Sequence, residues 1–117
     1  MHAGTLPDVA FVIPNLVHDM HSASIESGDA WLHDHVAPLV AWAKRNNALI
    51  VITWDESSAR LTNHIPTLFV GPMVKPGRYD EVVSHGRLLR TIEDLFALRH
   101  AGSATTATSI LDCWATS

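Results

Sequence analysis

Along this chain, apolar runs too short for a helix alternate with stretches of helical spacing. Asp8-Val-Ala-Phe-Val-Ile13 is a brief apolar run halted by Pro14-Asn15, the pattern of a buried strand. Leu32, Val36, Leu39, Val40 and Ala43 then recur on one helical face, with Ser27 or Asp29 as the expected N-cap. Pro38 removes a backbone donor from that helix and is expected to kink or divide it. Lys44-Arg45-Asn46-Asn47 ends it with positive charge at the negative pole. Leu49 to Thr53 is an unbroken apolar or β-branched run and reads as a strand buried on both faces, as parallel sheets require. Thr67–Val70 is a further short strand, and Gly71-Pro72 and Lys75-Pro76-Gly77 are turn signals. Ser84 is placed to cap a helix over His85–Phe96. Leu88, Leu89, Ile92, Leu95 and Phe96 form its expected core stripe, with Arg87, Arg90, Glu93 and Asp94 on the other side. Ala101 to Ser109 reads as a partly extended tail, and Ile110–Trp114 as an end pinned back onto the body.

The order β–α–β–β–α predicts an α/β fold: a layered, mostly parallel sheet with flanking helices, in one domain over residues 1–117. Hydrophobic residues make up 47% of the chain and charged residues only 17%. That is apolar for a small domain, which has proportionally more surface to cover. The excess points to a face meant for another chain, a homo-oligomer partner or a further part of the same protein. A net charge of −4 with no basic run argues against a nucleic-acid surface. The single cysteine, Cys113, rules out an intrachain disulfide and a cysteine zinc cluster. No stretch approaches the roughly 18 to 20 apolar residues of a membrane span, and no signal-like start is present.

Candidate chemistry gathers at strand ends. Asp55 and Glu56 follow the central strand, where ligands of open α/β sheets bind. Adjacent carboxylates repel each other and are costly to desolvate unless a cation or strong donors neutralise them. A divalent metal ion is one such neutraliser, and His64 is a plausible further ligand. The plainer reading makes these acids helix caps or solvated loop residues. Asp19 and His21 lie in the loop after the first strand, and parallel strands would bring them to the same sheet edge as Asp55 and Glu56. His18, His33, His35, Lys75, Arg78 and His85 read as capping, structural or solvated groups. His33 and His35 in particular point about 200° apart on a helix and cannot share one metal.

With these clusters in view, the chain resembles the phosphoesterase family of bacterial acid phosphatases and phosphatidylcholine-type phospholipases C, within the alkaline-phosphatase-like superfamily. The blocks that carry the resemblance run in order from Leu6 to Trp114. They are Leu-Pro-Asp-Val-Ala-Phe-Val-Ile-Pro-Asn (6–15), Asp-Met-His-Ser (19–22), Gly-Asp-Ala-Trp-Leu (28–32), Ile-Thr-Trp-Asp-Glu (52–56), Asn-His-Ile-Pro-Thr-Leu-Phe-Val-Gly-Pro (63–72), Val-Lys-Pro-Gly (74–77) and Leu-Arg-Thr-Ile-Glu-Asp (89–94). The resemblance implies that Asp55 is a metal ligand with Glu56 beside it and His64 as a further candidate. It implies that His21 contacts the phosphoryl or leaving group, supported by Asp19. His85 matches a recurrent histidine before the last helix. The loop Ser57 to Thr62 departs from the family in lacking Asp/Gly-rich character.

For full-length relatives the resemblance implies metal-dependent hydrolysis of a phosphate ester. The phosphoryl group passes to an activated hydroxyl, and the phosphoenzyme is then hydrolysed. The family's N-terminal half supplies an acidic/Asn metal-binding pair and the Ser or Thr nucleophile, and nothing before Leu6 matches them. The chain therefore resembles a C-terminal half, expected to hydrolyse weakly or not at all unless a partner chain supplies the nucleophile. The resemblance also suggests a secreted or periplasmic setting. The alternative is a non-catalytic metal-binding or partner-docking α/β module derived from the same family.

Overall fold

The computed structural model describes residues 6–58 and 62–115. Helix α1 (Ile25–Arg45) starts earlier than its apolar stripe predicts, because Ser24 is the N-cap and its Oγ accepts the Ser27 N–H at 3.3 Å. Ser27 lies inside the first turn, where its hydroxyl donates to the Val17 carbonyl at 3.0 Å and ties the helix to the preceding loop. Pro38 does not divide the helix, which runs on to Arg45 and is capped by Asn46. The predicted stripe holds: Ala43 is fully buried, and Leu32, Val36, Leu39 and Val40 are half-buried.

Strand β1 (Ile50–Thr53) and strand β2 (Thr67–Val70) pair antiparallel in the register Ile50↔Val70 to Thr53↔Thr67. Parallel pairing is therefore not what joins these two strands. A loop, not a helix, connects them, and a parallel pair needs a long crossover. Nor does Asp8–Ile13 form the expected strand, since it pairs with neither β1 nor β2. Leu6, Pro7, Asp8, Ala10 and Val12 line a groove of about 340 Å³ against α1 and residues 48–53, while Phe11 and Ile13 are 82% and 83% exposed.

Helix α2 (His85–Leu95) begins at the expected cap, Ser84, whose Oγ accepts the Arg87 N–H at 3.3 Å. Its expected core stripe is only partly covered: Leu88 and Ile92 are half-buried, whereas Leu89, Leu95 and Phe96 are exposed. The buried residues of α2 are Thr91 and Glu93, each 5% exposed. The cause lies in the C-terminal segment, which docks on the polar face through backbone groups that need partners. Arg87 donates to the Thr108 and Ser109 carbonyls at 3.0 and 2.8 Å, to the Val82 carbonyl, and to Glu81. Arg90 donates to the Ala107 carbonyl at 2.9 Å. Thr91 Oγ1 accepts the Ile110 N–H at 2.9 Å, and Glu93 Oε1 accepts the Ala101 N–H at 3.0 Å.

Asp94 collects Ser109, His100 and Arg90, and those hydrogen bonds, Ser109's first, hold its carboxyl down at about 2. Residues 101–115 thus form a 3-10 turn at Gly102–Thr105 and then a return to the sheet. There Trp114 bridges Val74 and stacks on Phe69 with ring centroids 5.8 Å apart. The hydrogen bond from Arg87 pulls the Glu81 carboxyl below its usual range. Burial, and then Glu81 itself, push Asp112 above its own.

Candidate active site

The Asp55–Glu56 turn leaves β1 directly. Both residues are exposed, and Asp55 Oδ1 accepts the Glu56 N–H at 3.0 Å, an oxygen-capped turn that fixes the local backbone. Asn63 closes the following loop by accepting the Ser57 N–H on Oδ1 at 2.7 Å, while Ser57 Oγ donates to the Thr62 carbonyl at 2.9 Å. A third support comes from α2: the His85 imidazole Nε2 lies 2.9 Å from the Asp55 carbonyl oxygen. Among the described residues no Lys, Arg or His side chain forms an ion pair with either carboxylate.

Asp19 and His21 sit on a separately built loop before α1. The His18 and Asp19 amides both donate to the Asn15 carbonyl, at 2.8 and 3.1 Å, and Ser22 N–H reaches Leu16 O at 3.1 Å. Asp19 Oδ1 then accepts the His21 N–H at 2.8 Å, so Asp19 supports His21 through its backbone. Met20 between them adopts φ +70°, and its side chain occupies the space above Gly28. A Cβ there would lie 2.5 Å from Met20 Cγ. His21 is exposed and Asp19 half-buried.

His64 is exposed and, with His85, lines a broad groove of about 1080 Å³ between residues 62–70, 74–85 and 110–113. Thr53 lines it as well, so the groove opens beside the end of β1. Among the described residues no hydrogen bond or ion pair joins the Asp19/His21 loop to the Asp55/Glu56 turn. Nor do three or more His, Cys, Asp or Glu side chains come together there to hold a metal ion. The chain itself brings together Asp55, Glu56 and His85, and the groove shared by His64 and His85. His33 and His35 are locally satisfied, His33 against Asp34 at 3.1 Å and His35 on the Trp31 carbonyl at 3.0 Å.

Sequence reasoning gave Asn63 and His85 no part in building the turn. The block Asn63-His64 drew attention to the imidazole, yet the amide does the structural work. For His85 the signal was its place one residue after a helix cap, which says nothing of the strand end it reaches.

Comparison with known proteins gives this geometry a context. The chain is 50% identical over 109 residues to a phosphatidylinositol-3-phosphatase of Mycobacterium tuberculosis, covering 93% of this chain and 36% of that protein. It is 27% identical over 103 residues to a Kluyveromyces lactis protein named "Probable acid phosphatase", covering 83% of this chain and 24% of the relative. An acid phosphatase of Aspergillus fumigatus is 26% identical over 113 residues, with 92% and 25% covered. The chain thus spans from about a quarter to just over a third of the length of these relatives. No solved structure matches. The Phosphoesterase family model matches residues 1–99, and the chain belongs to that family.

Proposed function

We propose that this chain carries the cation-holding part of a metal-dependent phosphoric ester hydrolase of the acid phosphatase or phospholipase C kind. The observation that carries the reading is the Asp55–Glu56 turn: two exposed carboxylates at a strand end, with no cationic partner among the described residues. Hard carboxylate oxygens fit a divalent cation. Asp55 and Glu56 would hold it, with the remaining positions filled by groups beyond these residues, since no third His, Cys, Asp or Glu among the described residues gathers with them. When bound, the cation would stabilise charge building on the phosphoryl oxygens. His21, its backbone fixed by Asp19, would protonate the leaving oxygen or stabilise its charge. For the finer fold, we propose that Asp8–Ile13 serves as a strand of a larger, mostly parallel sheet once protein covers Phe11 and Ile13. Exposed Phe11 and Ile13 interleaved with groove-lining Ala10 and Val12 support this.

Two assays test the reading together. Calorimetric titration with Mg²⁺, Mn²⁺, Ca²⁺ and Zn²⁺ should show binding that weakens tenfold or more in Asp55→Ala. Turnover of p-nitrophenyl phosphate, alone and with the N-terminal part of a relative added, should fall about 10²- to 10⁴-fold in His21→Ala while cation affinity is unchanged. Equal cation binding in wild type and Asp55→Ala would exclude the reading. The exposure of Phe11, Ile13, Val82 and Leu95 favours a second one, a non-catalytic docking module. Cation binding without turnover under both conditions would select it.

A further inference from the structure

A carbonyl oxygen carries no proton, so the 2.9 Å contact between His85 and Asp55 requires His85 Nε2–H to be the donor whatever the charge on the ring. Nδ1 is then free of the proton in the neutral ring, and among the described residues it has no hydrogen-bond partner. The contact spans 30 positions of sequence. It is the only hydrogen bond that Asp55 makes outside its own turn among the described residues. It also joins the first residue of α2 to the residue that leaves β1. The bond acts on the turn from outside, beside the local bonds from Glu56 N–H to the Asp55 carboxylate, from Ser57 N–H to Asn63 and from Ser57 Oγ to the Thr62 carbonyl. Hydrogen bonds from outside a cation site fix the orientation of the residues that supply its ligands.

We infer that His85 is a positioning residue: by donating Nε2–H to the Asp55 carbonyl it sets the direction in which the Asp55–Glu56 carboxylates point, and so couples cation affinity to the docking of α2. The inference rests on the cation reading of Asp55. His85→Gln keeps an N–H donor of similar reach, whereas His85→Ala removes it.

The test combines Mn²⁺ titration with amide hydrogen exchange in EDTA, on the full chain and the variants His85→Ala, His85→Gln and Asp55→Ala. A melting curve for each confirms that it folds. In His85→Ala the Glu56 and Ser57 amides should exchange about tenfold faster without cation. Mn²⁺ affinity should fall about tenfold, and His85→Gln should restore both to within about threefold. A long-range proton–nitrogen spectrum should place the ring proton on Nε2. A proton on Nδ1 alone, or unchanged exchange in His85→Ala, overturns the inference without touching the cation reading. So does Mn²⁺ affinity equal to wild type in His85→Ala when Asp55→Ala has lost it. Absence of Mn²⁺ binding in wild type overturns the cation reading and this inference with it. A His85→Ala chain that does not fold is replaced by His85→Gln against His85→Phe, for which the same outcomes apply.

Discussion

At Gly28 a single missing methyl decides how the loop bearing Asp19 and His21 meets α1. A Cβ would approach Met20 Cγ and Cε at 2.5 and 2.7 Å and the His18 carbonyl oxygen at 3.2 Å. The methionine can move, but the carbonyl belongs to the turn that presents His21. Gly28→Ala should therefore destabilise by about 1 to 2 kcal/mol as a small overpacking defect, read as a shift in urea midpoint at constant slope. Asp94 sets the other residue-scale expectation. Its folded value of about 2 lies below the ordinary 3.8, so the stability it contributes is present above about pH 4 and lost as pH falls through 2. In an acid titration followed by circular dichroism, Asp94→Asn should be less stable than wild type at pH 6, with the gap closing between pH 4 and 2. A gap independent of pH would mean that Asp94 acts by packing alone. His85 reads in the sequence only as a local hydrogen bonder, whereas its bond reaches across 30 positions to Asp55. That its acceptor is Asp55 depends on the hairpin, which no local pattern encodes.

At the scale of elements, the cap of α2 and the turns are readable in the sequence. The cap of α1, at Ser24 and not Ser27 or Asp29, and the partners of each element are not. Ser84 and the span of α2 follow from short-range chemistry, as does the stripe of α1 ending at Ala43. The α2 stripe was read correctly as apolar, yet its burial was misjudged, because burial depends on what lies opposite. Here the opposite element is the C-terminal segment, which binds the polar face through Arg87, Arg90, Thr91 and Glu93. In the sequence Arg87, Arg90 and Glu93 read only as the polar side opposite the apolar stripe. Arg87 is the centre of that attachment, with its ion pair to Glu81 largely shielded from water. Arg87→Leu should cost about 2 to 4 kcal/mol, since it leaves Glu81 and the Val82, Thr108 and Ser109 carbonyls without their donor. Arg87→Lys should recover only part of that, because one ammonium cannot reproduce the guanidinium fork. Denaturation followed by Trp114 fluorescence measures both. A cost under about 0.5 kcal/mol would show the segment held by Ile110 and Trp114 instead. The pairing of β1 with β2 is antiparallel, so these two strands do not themselves supply the expected parallel sheet. Two strands joined by a loop pair antiparallel, whatever their apolar composition suggests.

Across the whole molecule the core is thin. Ala43, Ala104, Ile110 and Cys113 are its buried apolar residues among those described, and no large side chain is fully enclosed. The radius of gyration is 15.1 Å, against about 13 Å for a compact domain of similar length. The apolar excess noted in the composition therefore sits on the surface, at Phe11, Ile13, Val82 and Leu95. Its stability consequence is a contrast between two substitutions. Phe11→Ser should change the chain's own stability by less than about 0.5 kcal/mol, whereas Ile110→Ala should cost about 2 to 4 kcal/mol. Comparable losses in chemical denaturation would mean that Phe11 is covered in solution.

The same scale governs the site. Asp55 and Glu56 stand out in the sequence because acids at a strand end carry their own signal. Their relation to Asp19 and His21 was argued from a parallel sheet, and the described residues supply no such link. The whole account depends on whether the strand-end turn holds a cation, and Mn²⁺ titration of wild type beside Asp55→Ala asks this directly. Saturable binding that weakens at least tenfold on the substitution is the predicted result; affinity indifferent to Asp55 would contradict it.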